Sequence, residues 1–114
     1  MGYYLKIGER EINSKSLAYL TGDIIRNILP SVKEKEDGWE LKKTHIAVLA
    51  DFTRFLLGDD RRFRLYMDND CDIFYGVEDF DEVKENIEWI HNCFVNTLID
   101  MVLYKVKHVK VRWV

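Results

Sequence analysis

Residues 79–105 carry the longest sustained helical pattern of apolar and polar positions in the chain. Apolar residues recur there at steps of three and four, which places them along one side of a helix. This stripe consists of Val83, Ile87, Ile90, Phe94, Leu98 and Met101. Four more apolar residues widen it: Trp89, Cys93, Val102 and Val106. A helix with so broad an apolar surface is usually covered on more than one side. The pattern therefore predicts a central helix over about 80–105, onto which the rest of the chain packs.

Two further helices are predicted upstream, over about 15–29 and 45–57. For the first, Asn13 or Ser14 supplies an N-cap, and Pro30 disfavours continuation. For the second, Thr44 is the expected N-cap, and Gly58 occupies the place of a left-handed C-terminal residue. Its predicted inward face consists of His45, Val48, Leu49, Phe52, Phe55 and Leu56.

The N-terminal residues 3–12 predict a hairpin that turns at Gly8-Glu9. The turn would pair Leu5 with Ile12 and Lys6 with Glu11. Two apolar side chains would then lie opposite each other, and so would two side chains of opposite charge. The alternative is a single strand that ends at Gly8. Residues 31–43 also admit two structures. They form either a small hairpin around the Asp37-Gly38 turn signal or a loop that leads into one strand.

Residues 62–75 predict a central hairpin with a three-residue loop at residues 68–70. Its apolar face would consist of Phe63, Leu65, Met67, Cys71, Ile73 and Tyr75. A C-terminal strand over 108–114 follows from the alternation of Val109, Val111 and Trp113 with charged residues. Together the elements predict an α+β fold, with one mostly antiparallel sheet on three helices, as a single domain over 1–114.

Composition narrows the classes of protein to which the chain can belong. It has 114 residues, of which 47% are hydrophobic, and a net charge of −3, which does not favour non-specific coating of nucleic acid. No apolar run approaches the roughly 20 residues that span a bilayer, and no signal-peptide pattern opens the chain. Two cysteines are too few for a disulfide framework. A cytoplasmic protein without membrane contact is expected.

No candidate motif for catalysis, metal binding or cofactor binding has the residue spacing that its chemistry requires. The run Asp68–Asp72 imitates the start of a calcium loop, but Ile73 stands where that loop requires glycine. His91 and Cys93 are two residues apart and point to different sides of a helix. No Gly-rich phosphate loop or nucleophile elbow is present. We therefore expect no cofactor and no metal, and the sequence favours a non-catalytic protein over an enzyme, which stays open as a further alternative.

Charge placement indicates two candidate surfaces. If the final strand lay beside a strand at 62–67, it would complete a basic, aromatic face suited to nucleic acid. That face comprises Arg62, Arg64, Tyr66, Phe74, Lys110 and Arg112. The competing interpretation is a solvated sheet face with cross-strand pairs such as Arg64 with Asp72. The second surface is the acidic start of the long helix, formed by Asp79, Asp81, Glu82 and Glu85.

A third candidate is self-association through the terminal strand. Trp113 lies next to the chain end, and an exposed strand edge there would pair with another chain. Short, acidic, aromatic-rich chains without catalytic motifs are typical of inhibitor, immunity and phage-encoded antagonist proteins. The sequence thus favours a small cytoplasmic, non-catalytic binding or regulatory protein that acts on another protein. The alternative is a nucleic-acid or nucleotide-binding domain that uses the basic face.

Overall fold

The computed structural model describes residues 4–70, 72–75 and 79–114. Within these residues the chain has an α+β fold, with four helices and one four-stranded antiparallel sheet. In chain order the elements are β1 (Leu5–Ile7), β2 (Arg10–Ile12), α1 (Lys15–Ile28), β3 (Gly38–Lys42), α2 (Lys43–Leu57), α3 (Asp60–Asn69), α4 (Phe80–Leu103) and β4 (His108–Trp113).

The N-terminal hairpin is confirmed in its predicted register. Leu5 lies opposite Ile12, and Lys6 lies opposite Glu11. Gly8 takes a positive φ of 60° at the turn, a conformation that glycine adopts at little cost. Both apolar members of the pair are fully buried, so the alternation of the sequence decides which side of the hairpin faces the core.

The sheet has the strand order β2-β1-β4-β3, which makes the C-terminal strand a central one. β4 pairs with β1 on one side and with β3 on the other. Residues 31–37 form a loop that leads into the single strand β3, with one isolated bridge between Lys35 and Gly38. Of the two structures open for this region, the loop with one strand is therefore observed.

The helices cover one face of the sheet. On that face the apolar side chains of Leu5, Ile7, Trp39, Leu41 and Val111 are buried. The charged residues that alternate with them, such as Glu40, Lys110 and Arg112, are exposed. The fold is a helix layer on a sheet whose second face is open, as the period of two in each strand requires.

α1 begins and ends where the sequence predicts. The hydroxyl of Ser14 accepts a hydrogen bond from the backbone amide of Leu17, so Ser14 rather than Asn13 is the cap. Gly22 marks the contact of α1 with β4, because a Cβ there would lie 2.9 Å from the ring of Trp113. That ring lies between Tyr19 and Trp39, and its centroid is 5.9 Å from one and 6.1 Å from the other.

α2 spans the predicted residues, but its predicted cap and inward face are partly wrong. The helix begins at Lys43, before the expected cap Thr44. Its buried side chains are Ile46, Leu49, Ala50, Thr53 and Leu56, whereas Val48 and Phe55 are exposed. Gly58 has a right-handed φ of −72° and ends the helix without a left-handed turn. Apolar residues surround much of α2, so periodicity alone does not select the covered side.

The predicted hairpin over 62–75 is wrong, because residues 60–69 form the helix α3. The carboxylate of Asp59 accepts hydrogen bonds from the amides of Arg61 and Arg62, at 2.9 and 3.2 Å. This N-cap satisfies two of the amides that a helix start leaves free. Phe63 is fully buried, while Leu65, which the hairpin placed inside, is exposed. Cys71, the predicted partner of Met67, lies outside the described residues.

The segment after α3 folds around the carboxylate of Asp70. That carboxylate accepts hydrogen bonds from the amides of Ile73 and Phe74, at 2.7 and 2.8 Å. The resulting turn buries Phe74 against Phe63 and Tyr66, with ring centroids 5.7 and 6.0 Å away. Asp70, which the calcium-loop pattern would use as a ligand, is therefore engaged by backbone amides.

α4 is the predicted central helix. The carboxylate of Asp79 accepts hydrogen bonds from the amides of Asp81 and Glu82, as a cap residue does. At the other end Lys105 adopts a left-handed φ of 54°, and the amide of Val106 donates to the carbonyl of Met101 at 3.0 Å. This backbone pattern is a Schellman motif, which ends a helix and redirects the chain. The helix ends at Leu103 and the strand begins at His108, close to the predicted bounds of about 105 and 108.

α2 and α4 are antiparallel and form the most extensive helix contact. The start of α3, which directly follows α2, lies beside the start of α4, where Lys84 pairs with Asp60 at 3.0 Å and Phe80 packs against Phe63. Midway along, the hydroxyl of Thr53 lies 2.7 Å from the imidazole Nδ1 of His91. This contact places one face of α4 against α2 and leaves the opposite face free of it.

Candidate interaction surface

α4 buries one face along its entire length. The predicted stripe is confirmed: Val83, Ile87, Ile90, Phe94 and Met101 are buried, and Leu98 is partly buried. Cys93, which widens the stripe, is also buried, and burial raises the pKa of its thiol. The core face of α4 therefore agrees with the helical period read from the sequence.

The opposite face of α4 is apolar in its last two turns, and none of residues 4–70, 72–75 and 79–114 covers it. Ile99 retains 48% of its side-chain exposure, Val102 59% and Leu103 68%. Val95 lies on the same side of the helix, because positions 95, 99, 102 and 103 are three or four residues apart, but it is only partly exposed and also packs against the core. We call the four residues Val95, Ile99, Val102 and Leu103 the apolar end of α4.

The exposed apolar surface continues into the turn after the helix. Tyr104 and Val106 are also exposed, and both line a groove of about 740 Å³ beside the turn between β1 and β2. Where the groove meets α4, the guanidinium of Arg10 donates to the carboxylate of Asp100 at 2.7 Å. The groove thus combines apolar side chains with charged ones, among them Glu9, His108 and Lys110, and it lies next to the apolar end of α4.

The expectation that the chain covers α4 on more than one side is wrong in this region. Val102 and Val106 were expected to extend the buried stripe, but both are exposed, as is Trp89. The reason is geometric, because α2 and α1 pack on α4 while Phe94 and the rest of the stripe are buried, and Val102 lies outside these contacts. Contiguous exposed apolar surface of this kind marks an interaction site in soluble proteins.

The first half of the same outer face is acidic. Asp81, Glu85 and Glu88 are exposed and follow one another at steps of four and three residues. Of the acidic surface predicted from the sequence, Asp81, Glu82 and Glu85 lie in these exposed turns, and Asp79 caps the helix. After the helix, Lys105 and Lys107 are both exposed. In chain order the exposed residues of α4 and of the turn after it therefore change from acidic to apolar to basic.

The six residues of the predicted nucleic-acid face do not share one sheet face. Arg62 and Arg64 lie on α3, where the Arg62 guanidinium donates to the carbonyl of Phe55 and the Arg64 guanidinium lies 3.9 Å from the ring centroid of Phe80. Tyr66 packs between Phe52 and the buried Phe74. Lys110 and Arg112 are exposed on β4. The prediction failed because it required a strand at 62–67.

Trp113 is not at a sheet edge. It lies opposite Leu5 in the pairing of β4 with β1, and its ring packs against Trp39 and Tyr19. The Arg26 guanidinium lies 5.9 Å from the same ring and is held by the carboxylate of Glu34 at 2.7 Å. The predicted self-association through this strand edge is therefore wrong, since β4 already has a neighbour on each side.

The part of the chain that the structure describes meets neither the requirements of a metal site nor those of a membrane-spanning helix. Within residues 4–70, 72–75 and 79–114, no three His, Cys, Asp or Glu side chains converge as metal ligands would. No helix in the same residues combines the length and the apolar character needed to cross a bilayer.

Comparison with known proteins gives no information about the family or the function of this chain. No protein-family model matches the chain, and neither a curated protein nor a solved structure shows significant similarity to it.

Proposed function

We propose that this chain is a small intracellular, non-catalytic protein that acts by binding a protein partner through the apolar end of α4. The observation that carries this proposal is the exposure of Ile99, Val102 and Leu103 on the side of α4 that no element of the described chain covers. Burying such side chains stabilises a complex by about 25 cal/mol for each Å² removed from water.

The surroundings of this surface favour a protein over a small ligand. The apolar end of α4 lies on a convex helix face, and the adjoining groove is open, whereas small-molecule sites are enclosed cavities. Charged residues lie at both ends of the apolar surface, as at the rim of an interface. Inhibitor, immunity and antagonist proteins act through surfaces of this kind, and we place the chain with them by type.

Site-specific photo-crosslinking tests this proposal. With a photoreactive side chain in place of Leu103, we expect a protein adduct of one discrete mass in the native cells. The matched control carries the same group at Leu65, which is 54% exposed on α3 and outside the proposed surface. We expect at most a tenth of the adduct there. Adding Ile99→Asp to the Leu103 probe places a charge in the contact and is expected to abolish the adduct.

The proposal is contradicted if Leu103 gives no more adduct than Leu65. It is also contradicted if Ile99→Asp leaves the yield at Leu103 unchanged while the variant remains folded by circular dichroism. The mass of the adduct distinguishes a second copy of this chain from a different protein.

A second candidate function is polyanion binding by the open face of the sheet. Arg112 lies directly opposite Lys6, and Lys110 and Lys42 lie on neighbouring positions of the same uncovered face. Glu11 and Glu40 partly offset this charge.

Retention on a single-stranded oligonucleotide column tests this second candidate. Replacing Lys110 and Arg112 with Ala is expected to lower the retention and flatten its salt dependence, because each phosphate contact contributes to the salt slope. Replacing Arg62 and Arg64, which lie on α3, is the matched control and is expected to change neither. Equal losses in both variants would exclude the sheet face as the site.

A further inference from the structure

We propose that the partner of the apolar end of α4 is a second copy of this chain, with the two α4 helices packed antiparallel about a two-fold axis. This inference rests on the proposed function, since it uses the same surface and names its occupant. It replaces the predicted association through the terminal strand, which lies in the middle of the sheet.

The order of charges along α4 carries the inference. The outer face begins with Asp81, Glu85 and Glu88, continues with the apolar end of α4, and is followed by Lys105 and Lys107. A parallel copy would place acid beside acid and base beside base. An antiparallel copy places the acidic half of each helix beside the basic turn of the other, with Val95 and Ile99 at the middle of the contact and Val102 and Leu103 towards its ends.

The spacing along the helix agrees with such an arrangement. Thr97 lies nine residues after Glu88, or about 13 Å at a rise of about 1.5 Å per residue, and six residues before the helix end at Leu103, with Lys105 two residues beyond that end. A two-fold axis at that level brings Glu88 of one chain to Lys105 of the other and Ile99 opposite Val95. Because the contact is isologous, each favourable pair occurs twice.

The apolar part of the contact supplies affinity, and the charges supply orientation. Ile99, Val102 and Leu103 are half exposed or more in the free chain, so pairing removes apolar surface from water on both copies. Rim charges chiefly decide which arrangement forms, because like charges in contact penalise the wrong one.

A charge-swap series measured by sedimentation equilibrium tests this inference. For the wild-type chain we expect a mass that approaches twice 13.6 kDa as concentration rises. Glu88→Lys alone and Lys105→Glu alone each place like charges in contact, and each is expected to raise the dimer Kd at least tenfold. The double variant restores the pairing with reversed sign and is expected to return to within threefold of the wild type. Glu36→Lys, an exposed change of the same charge in the loop before β3, is the control and is expected to leave the Kd unchanged.

Two results would overturn the inference. A monomeric mass at every concentration excludes a second copy as the occupant, and the proposed function still stands if Leu103 crosslinks to a different protein. A dimer whose Kd is unaffected by either single reversal, or is not restored by the double variant, excludes the antiparallel arrangement. If the chain is monomeric and Leu103 crosslinks no more than Leu65, the proposed function fails as well.

Discussion

Gly38→Ala is expected to destabilise the protein by more than about 3 kcal/mol, because an added Cβ meets backbone and the residue is held in a strained conformation. An ideal Cβ at this position would lie 1.9 Å from the carbonyl oxygen of Val111, in the neighbouring strand β4. The backbone φ of Gly38 is +137°, which residues with side chains rarely adopt. The two strands must separate to admit the methyl group.

The consequences extend beyond β3, because β4 is the central strand. Gly38 pairs with Arg112, and the adjacent carbonyl of Asp37 accepts a hydrogen bond from the Trp113 amide at 2.8 Å. Separation at this point also disturbs the packing of Trp113 against α1. For a domain of this size, 3 kcal/mol corresponds to a fall in melting temperature of roughly 10 °C or more.

Thermal unfolding followed by circular dichroism measures the effect, with Gly58→Ala as the matched control. A Cβ at Gly58 would lie 2.7 Å from the flexible end of the Arg62 side chain and at ordinary contact distance from the carbonyls of Arg54 and Phe55, and the φ of −72° suits any residue. We expect this control to change the free energy of unfolding by less than about 1 kcal/mol. Melting temperatures within 3 °C of each other for the two variants would contradict the account of β3 and β4.

Phe94→Ala is expected to lower the free energy of unfolding by about 3–5 kcal/mol, the usual cost of removing a large buried ring. Phe94 is fully buried and belongs to the face of α4 that the rest of the chain covers. Its removal leaves a cavity that rigid neighbours on α2 and the sheet fill only in part.

Urea unfolding measures this loss, and Leu65→Ala is the control. Leu65 is a large apolar side chain that lies exposed on α3, so its truncation is expected to change stability by no more than about 0.5 kcal/mol. An unchanged m-value is expected for both variants, because each leaves the folded chain compact. Similar losses for the two variants would show that Phe94 is not a core residue.

The elements that the sequence predicts correctly are those whose signals are local and agree with each other. The N-terminal hairpin combines a glycine turn, apolar alternation and paired charges, and its register is confirmed. The ends of α1 follow from Ser14 and Pro30, and the start of α4 follows from Asp79. Each of these signals satisfies or removes specific backbone donors, so it acts without help from distant residues.

The errors arise where two periods fit the same residues. In residues 60–69, Phe63, Leu65 and Met67 alternate as in a strand, whereas Phe63, Tyr66 and Met67 fit a helix equally well. The N-cap at Asp59 stabilises the helix, and the helix buries Phe63 in the core. On α2, apolar residues are distributed too widely for the period to select a face, and the packing on α4 selects it.

The candidate surface could be predicted only in part. The excess of apolar residues on α4 is visible in the sequence, and it predicts two covered sides. Which side the chain itself covers depends on where α2 and the sheet pack, and no local signal determines that. The structure shows that Val102 and Leu103 remain outside this cover, and a partner as the second cover is our proposal.

The central claim is that the free chain buries one face of α4 and leaves the apolar end of the other in water. Relaxation enhancement of isoleucine methyl signals by a soluble paramagnetic agent measures this directly, with the Glu88→Lys variant used to hold the chain monomeric. The account predicts strong enhancement at Ile99 and little at Ile87 and Ile90, which are fully buried. An Ile99 signal as protected as that of Ile87 in the monomer would contradict it.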